Sequence, residues 1–174
     1  MEDNQPIFEF TYNVSEADYI NFNWLLLGDD IVNKKKRANI TGGFMLLAAV
    51  LLGVQTIIFN KYNQYFLDFL ILFVFFMGIY NLLFYRKIFP KSLEKNAIKV
   101  YKTTRFAKGD VTLKFFDEYI TETSCEGDFN VPYSYVKAQY QNQELIVLFF
   151  NKRAIIINKN VVTDDLLEFL KVKL

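Results

Sequence analysis

The chain has no histidine. Its absence removes the usual neutral-pH acid–base group, the commonest ligand for zinc and copper, and every catalytic triad that relies on imidazole. A single cysteine, Cys125, allows neither an internal disulfide nor a Cys-x-x-Cys site, so nothing in the sequence calls for an oxidising compartment. With no imidazole to activate it, Cys125 reads as an inert loop or strand thiol. Glycine-rich phosphate loops, dinucleotide fingerprints and metal-ligand clusters are also missing, and the glycine-bearing turns suit strand connections. Adjacent carboxylates do not rescue a catalytic reading. Asp117 and Glu118 would point to opposite faces of a strand, and Asp164 and Asp165 suit a helix N-terminus. A formal net charge of +1 gives no global attraction to nucleic acid. The expectation is a non-enzymatic protein with no cofactor, no metal site and no nucleic-acid partner.

What is present is apolar and segregated: 52% of residues are hydrophobic while 22% are charged, so the two classes must occupy separate stretches. Residues 40–59 carry no charge, and residues 66–85 carry only Asp68, near their start. Each stretch, as a helix rising 1.5 Å per residue, covers roughly 30 Å, the thickness of a hydrocarbon core. The short polar loop at 60–65 forces antiparallel neighbours, pairing Ile40 with Tyr85 and Phe59 with Phe66. Lys34, Lys35, Lys36 and Arg37 precede the first span, Arg86, Lys87 and Lys91 follow the second, and the loop offers only Lys61. By the positive-inside bias both termini are expected in the cytoplasm. Acidic Glu2 and Asp3 and a late, long apolar run do not suit a signal peptide. Gln55 and Asp68 fall near the outer surface and Asn81 near the inner one, which outlines no polar path, while Ala48, Ala49, Gly53 and Gly78 fall at depths that would allow close backbone approach or self-association.

The flanking segments divide the chain into a cytoplasmic strand and helix at 1–39, the hairpin at 40–85 and a cytoplasmic β-domain at 97–174. Phe8, Phe10, Tyr12 and Val14 alternate with polar residues, the period of a half-buried strand. Ser15 with Asp18 opens a helix whose apolar face would carry Ala17, Ile20, Trp24 and Leu27, and Gly28 would end it. Pro90 is expected to end or kink the second span, followed by a polar connector around 91–96. Strand character then recurs at 99–104, 111–116, 119–123, 129–131, 135–141, 144–150 and 154–158, separated by turn residues at 108–110, 126–128 and 142–143. Thr163, Asp164 and Asp165 start a last helix bearing Leu166, Leu167, Phe169 and Leu170, with Lys171 and Lys173 toward its negative end. The expected fold class is membrane α+β: a two-helix transmembrane hairpin plus a small antiparallel β-barrel or sheet domain closed by a C-terminal helix, in the manner of a pleckstrin-homology domain. Whether the first strand joins that sheet is left open by the sequence.

In this order of parts the chain resembles the YcxB-like family of small bacterial membrane proteins over nearly its whole length. The resemblance rests on Phe10-Thr11-Tyr12 followed by Ser15-Glu16-Ala17-Asp18-Tyr19, the basic-flanked hairpin, Val111-Thr112-Leu113-Lys114-Phe115, and Ala154-Ile155-Ile156-Ile157-Asn158-Lys159. The family's Trp-Ser-Asp-Ile-like and Ile-Pro-Lys steps are replaced here by Tyr133-Ser134-Tyr135-Val136 and Ile157-Asn158-Lys159. The resemblance implies a multi-pass protein of the bacterial cytoplasmic membrane with a pleckstrin-like cytoplasmic domain, and no defined reaction. The expected role is a binding or scaffold module at the inner membrane face. Lys34, Lys35, Lys36, Arg37, Arg86, Lys87 and Lys91 are candidates for anionic lipid contact, with Lys99, Lys102, Arg105 and Lys108 carrying positive charge onward. A protein segment is the other candidate partner. The rival expectation is a transport- or immunity-type component in which the hairpin is the working part.

Overall fold

The computed structural model describes residues 5–58, 65–151 and 153–174. Two compact units emerge: residues 1–26 together with 94–174, and residues 27–93.

In the first unit, β1 (Phe8–Tyr12) pairs antiparallel with β2 (Val111–Phe115), which continues through β3 (Tyr119–Ser124) to β4 (Gly127–Pro132). The N-terminal strand therefore joins the C-terminal sheet, with Phe10 opposite Leu113 and Tyr12 opposite Val111. Period-two alternation explains the pairing: Val111, Leu113 and Phe115 are buried while Thr112 and Lys114 are not. A second sheet has the order β5 (Ala138–Gln141), β6 (Leu145–Phe150), β7 (Arg153–Asn158). Its central strand buries four consecutive residues, Leu145 to Leu148, which requires cover on both faces. Phe150 stacks on Phe129 of the first sheet, and Phe149, on the opposite face, stacks on Phe22. The second sheet is thus sandwiched between the first sheet and the start of a helix.

That helix, α1 (Glu16–Ile58), opens with a reciprocal cap: Ser15 N–H donates to Asp18 Oδ2 at 3.0 Å and Asp18 N–H donates to Ser15 Oγ at 3.1 Å. Its packed face differs from the expected one. Phe22 is buried in the core and the half-buried Tyr19 and Leu25 pack against it, whereas Ala17 is exposed. Tyr19 meets Tyr101 and Phe106 there, and Phe22 stacks on Phe149. Gly28 breaks the helix as expected, at φ 46° and ψ −143°, a conformation that a side chain resists.

The C-terminal helix α4 (Asp164–Lys173) forms where expected. The Thr163 hydroxyl caps it by accepting from Leu166 N–H, Leu166 and Leu170 are buried, and Phe169 meets Phe8 and Tyr133 edge-on. Most strands lie within a residue or two of their sequence positions. The segment at 135–141 is shorter, because Tyr133–Tyr135 forms a 3₁₀ turn before β5.

The second unit holds the hairpin. α2 (Tyr65–Leu83) passes into a π-helical turn, Phe84–Ile88, and then α3 (Phe89–Tyr101). The expected break at Pro90 and polar connector at 91–96 are corrected: the chain stays helical through both. Phe89 N–H reaches back five residues to Phe84 O, and Pro90, just after this wide turn, sits in the first turn of α3, where its missing N–H costs little. The expected strand at 99–104 is corrected too. Its first residues finish α3, and the hydroxyls of Thr103 and Thr104 donate to Val100 O and Tyr101 O at that helix end. Val100, Thr103 and Thr104 carry the β-favouring side chains that suggested a strand.

Two helices in the hairpin are long and apolar enough to cross a membrane, and only 11% and 6% of their most apolar windows are buried. A core helix of a water-soluble domain would bury most of its length; here Phe44, Leu47, Leu51, Phe66, Phe69 and Phe76 are open. Leu46 packs on Gly78, within one residue of the register expected from loop length, and the contact tightens at Gly42, where an added Cβ would lie 2.8 Å from Gly78 O. Ala49 is buried, whereas Ala48 is exposed and Gly53 has nothing within 4 Å of an added Cβ. The close approach is therefore built on Gly42 and Gly78. Tyr65, the last residue of the expected connecting loop, already begins α2; the rest of that loop, with Lys61, and Phe59 at the end of the first expected span lie outside the described residues.

Candidate functional site

All seven candidate lipid contacts belong to the hairpin unit, and all are exposed. Lys34, Lys35, Lys36 and Arg37 continue α1 beyond its apolar stretch, Arg86 and Lys87 lie in the π turn, and Lys91 lies in the first turn of α3. Extending the register of Leu46 against Gly78 puts Arg37 level with Lys87, so both helices present cations at the same end of the hairpin. One acidic group intrudes: Asp30 pairs with Lys34 at 3.3 Å, with both side chains mostly exposed, which adds little stability.

Among the described residues the polar groups of the spans form no continuous path. Asn81 Nδ2 donates to Met77 O at 2.9 Å, one turn back on its own helix, and to Met45 Sδ of the facing helix at 3.7 Å, while Thr56 Oγ1 donates to Leu52 O at 2.8 Å. Asp68 is exposed in the first turn of α2.

Of the cations expected to extend the positive region, Lys99, Lys102 and Lys108 are exposed, but Arg105 is not available. Its guanidinium, 11% exposed, pairs through Nε and Nη2 with both oxygens of Glu122, itself 1% exposed, and donates from Nη2 to Ala154 O at 3.0 Å. A buried carboxylate needs such a partner. Nothing local in the sequence marks Glu122, because strand alternation alone decides that it points inward. The pair also bears on Tyr12, whose hydroxyl donates to Ile156 O. Burial first, then the Glu122 charge, hold that phenol well above its ordinary pKa, against a smaller opposing effect of Arg105.

A feature not foreseen from sequence lies around the β6–β7 turn of the β-unit. One open cleft of about 510 Å³ is lined by Phe129, Lys137, Phe150, Asn151 and Arg153. Another, of about 390 Å³, is lined by Leu26, Lys137, Ala138, Tyr140, Phe149 and Asn151. Lys137 and Asn151 line both. Arg153 lies 4.5 Å from the Phe129 ring centre and is held from one side by Glu126, Nη2 to Oε2 at 3.0 Å. Asn151 is the only non-glycine with positive φ, 51°, among the described residues. The lining comes from four strands and a helix, so no single stretch of sequence announces it.

Asp117 does not pair with Glu118 but bonds Lys173 at 2.6 Å, and Asp164 and Asp165 sit in the first turn of α4. Among the described residues no group of three or more histidine, cysteine, aspartate or glutamate side chains is placed to hold a metal ion. Comparison of the chain with family models, with curated proteins and with solved structures finds no match in any of the three.

Proposed function

We propose that this protein is a membrane-anchored, non-enzymatic binding module, YcxB-like in its organisation. Its hairpin crosses a bacterial cytoplasmic membrane and leaves both chain ends in the cytoplasm. The observation that carries this is the sorting of charge against apolar surface. Residues 27–93 hold eight basic and three acidic residues beside two lipid-exposable helices, whereas residues 1–26 and 94–174 hold twelve basic and sixteen acidic residues. The hairpin unit carries a net +5, concentrated at one end, and suits an anionic leaflet; the β-unit carries −4 and as a whole is repelled by one. The cationic end therefore grips headgroups, and the β-unit is the part that meets a cytoplasmic partner. Four strands, then three, then a C-terminal helix are the succession of a pleckstrin-homology-like domain, with the hairpin inserted between its first two strands. The scattered polar groups of the spans, bonded to backbone one turn back or, for Asn81, also to the Met45 sulfur, speak against a transport path through the hairpin.

The test is lipid selection by the full-length protein. In mixed micelles of equal phosphatidylglycerol and phosphatidylcholine, the protein is expected to retain phosphatidylglycerol preferentially. Each Lys or Arg near the surface contributes about 1 kcal/mol, roughly fivefold, and the preference should weaken as salt rises. Replacing Lys34, Lys35, Lys36 and Arg37 by glutamine should remove most of it. Equal retention of both lipids by the parent and the variant would contradict the proposal.

A further inference from the structure

Resting on the assignment of the β-unit as the partner-binding part, we infer that the outer edge of β5 is an interface whose occupant is β5 of a second copy of this chain, paired antiparallel about a two-fold axis. The backbone argues it first. Asn142 N–H donates to Leu145 O at 3.0 Å, and the same register sets Tyr140 opposite Val147. In an antiparallel ladder alternate residues exchange bonds with the neighbouring strand. Tyr140 and Asn142 therefore bond β6, while Gln139 and Gln141 turn their N–H and C=O groups outward, where β5 ends its sheet. Among the described residues no side chain or other backbone group reaches these four. The opposite edge of the sheet is covered: Ala154 O accepts from Arg105 and Ile156 O from the Tyr12 hydroxyl. In the other sheet, β4 carries Asp128 and Pro132, residue types that discourage strand addition. Residues 138–143 contain neither charge nor proline, and 139–143 are exposed.

Self-complementarity identifies the occupant. A two-fold axis at Tyr140 sets Gln139 opposite Gln141 of the second copy, and Gln141 opposite Gln139 of the second copy. The outward groups then satisfy one another in an isologous contact. Tyr140 faces Tyr140 of the second copy as a non-bonded pair, with Cα atoms about 4.5 Å apart. Its ring lies on the Phe149 side of the sheet, 5.9 Å from that ring, beside an open hollow of about 390 Å³ that Leu26 and Ala138 also line. The incoming tyrosine stands on the same side and covers that hollow, making an aromatic cross-strand pair. Charge sets the direction. Antiparallel pairing brings Lys137 of each copy opposite Gln143 and beside Glu144 of the other, whereas in-register parallel pairing sets lysine against lysine and glutamate against glutamate.

The experiment uses the full-length protein in phosphatidylcholine liposomes, with Cys125→Ser and a single cysteine placed in turn at each position from 137 to 143, oxidised with copper phenanthroline. Disulfide-linked dimer is expected to form at Tyr140→Cys at least about tenfold faster than at Ala138→Cys or Asn142→Cys. Only position 140 meets itself within disulfide reach, while 138 and 142 lie roughly 13 Å from their own copies. Adding Gln139→Pro and Gln141→Pro removes outward N–H groups without touching the bonds to β6, and should slow linkage at position 140 at least about tenfold, with native near-ultraviolet circular dichroism. Lys137→Glu, on an exposed side chain, sets like charges together and should slow it at least about threefold independently of proline. The inference is overturned if position 140 does not link, if all seven positions link equally, or if linkage keeps the parent rate in the natively folded proline variant or in Lys137→Glu. A protein that retains phosphatidylglycerol but does not link at position 140 loses the edge pairing alone.

Discussion

Gly42→Ala perturbs the hairpin at its tightest point. A Cβ there would meet Gly78 O at 2.8 Å, Leu82 Cγ at 3.0 Å and Asn81 Cβ at 3.2 Å. The first of these is backbone of the facing helix and cannot rotate away, so the helices must part by several tenths of an ångström. A gap of about 0.5–1 Å already forfeits a quarter to a half of the local dispersion attraction, and overpacking costs about 1–3 kcal/mol. Against this stands the better helix propensity of alanine, up to about 1 kcal/mol, leaving a net loss of about 1–2 kcal/mol. Gly78→Ala should cost less, because its closest neighbour is the Leu46 side chain, at 2.9 Å, which can change rotamer, and the backbone it meets, Gly42 O, stands farther off at 3.1 Å. Gly43→Ala and Gly53→Ala meet nothing within 4 Å and should be neutral or stabilising. The assay is dodecyl-sulfate titration of the protein in micelles, following pyrene excimer emission from cysteines placed at Arg37 and Lys87 in a Cys125→Ser background. Equal midpoints for Gly42→Ala and parent, or a larger loss for Gly53→Ala, would refute the reasoning.

In the β-unit, Glu122→Ala strands the buried Arg105 guanidinium and should destabilise by about 3–5 kcal/mol in thermal or urea unfolding. The double change Glu122→Leu with Arg105→Met should cost clearly less than Glu122→Ala alone, and a double variant worse than either single would contradict the pairing. The phenols of Tyr12 and Tyr133 are raised above their ordinary 10.0, Tyr12 by burial and then Glu122, Tyr133 by burial and then Asp117. A raised folded value means that stability is full below pH 10.0 and falls as pH climbs above it, because the unfolded chain ionises first. Alkaline titration of phenolate absorbance should therefore show these two of the eleven tyrosines ionising only as circular dichroism reports unfolding. Ionisation of all eleven with native structure intact would exclude it.

The hairpin and most strands were legible because each rests on a local period: uninterrupted apolar length for the helices, two-residue alternation for the strands. The capping pairs at Ser15 with Asp18 and at Thr163 were legible for the same reason, since each is complete within four residues. What escaped were outcomes settled between distant residues. Tyr19 and Phe22 pack into the core because residues distant in sequence meet them, Tyr101 and Phe106 against Tyr19 and Phe149 against Phe22. Pro90 failed to stop its helix because a π turn just before it supplies wider hydrogen bonding. Arg105, counted among solvent-facing cations, is claimed by Glu122, 17 residues on. The seven basic residues flanking the hairpin were readable as a group. The clefts were not, since Phe129, Lys137 and Arg153 line one, and Leu26 and Lys137 the other, only once both sheets have formed.

Membrane crossing is tested most directly by labelling two thiols of the same protein from outside intact cells with a membrane-impermeant maleimide. One is a cysteine replacing Tyr65, at the start of α2, and the other is the native, exposed Cys125. Two crossings with cytoplasmic ends predict that position 65 reacts in intact cells and Cys125 only after permeabilisation. Labelling of Cys125 from outside with position 65 protected, or recovery of the protein in the supernatant of a detergent-free lysate, would contradict it.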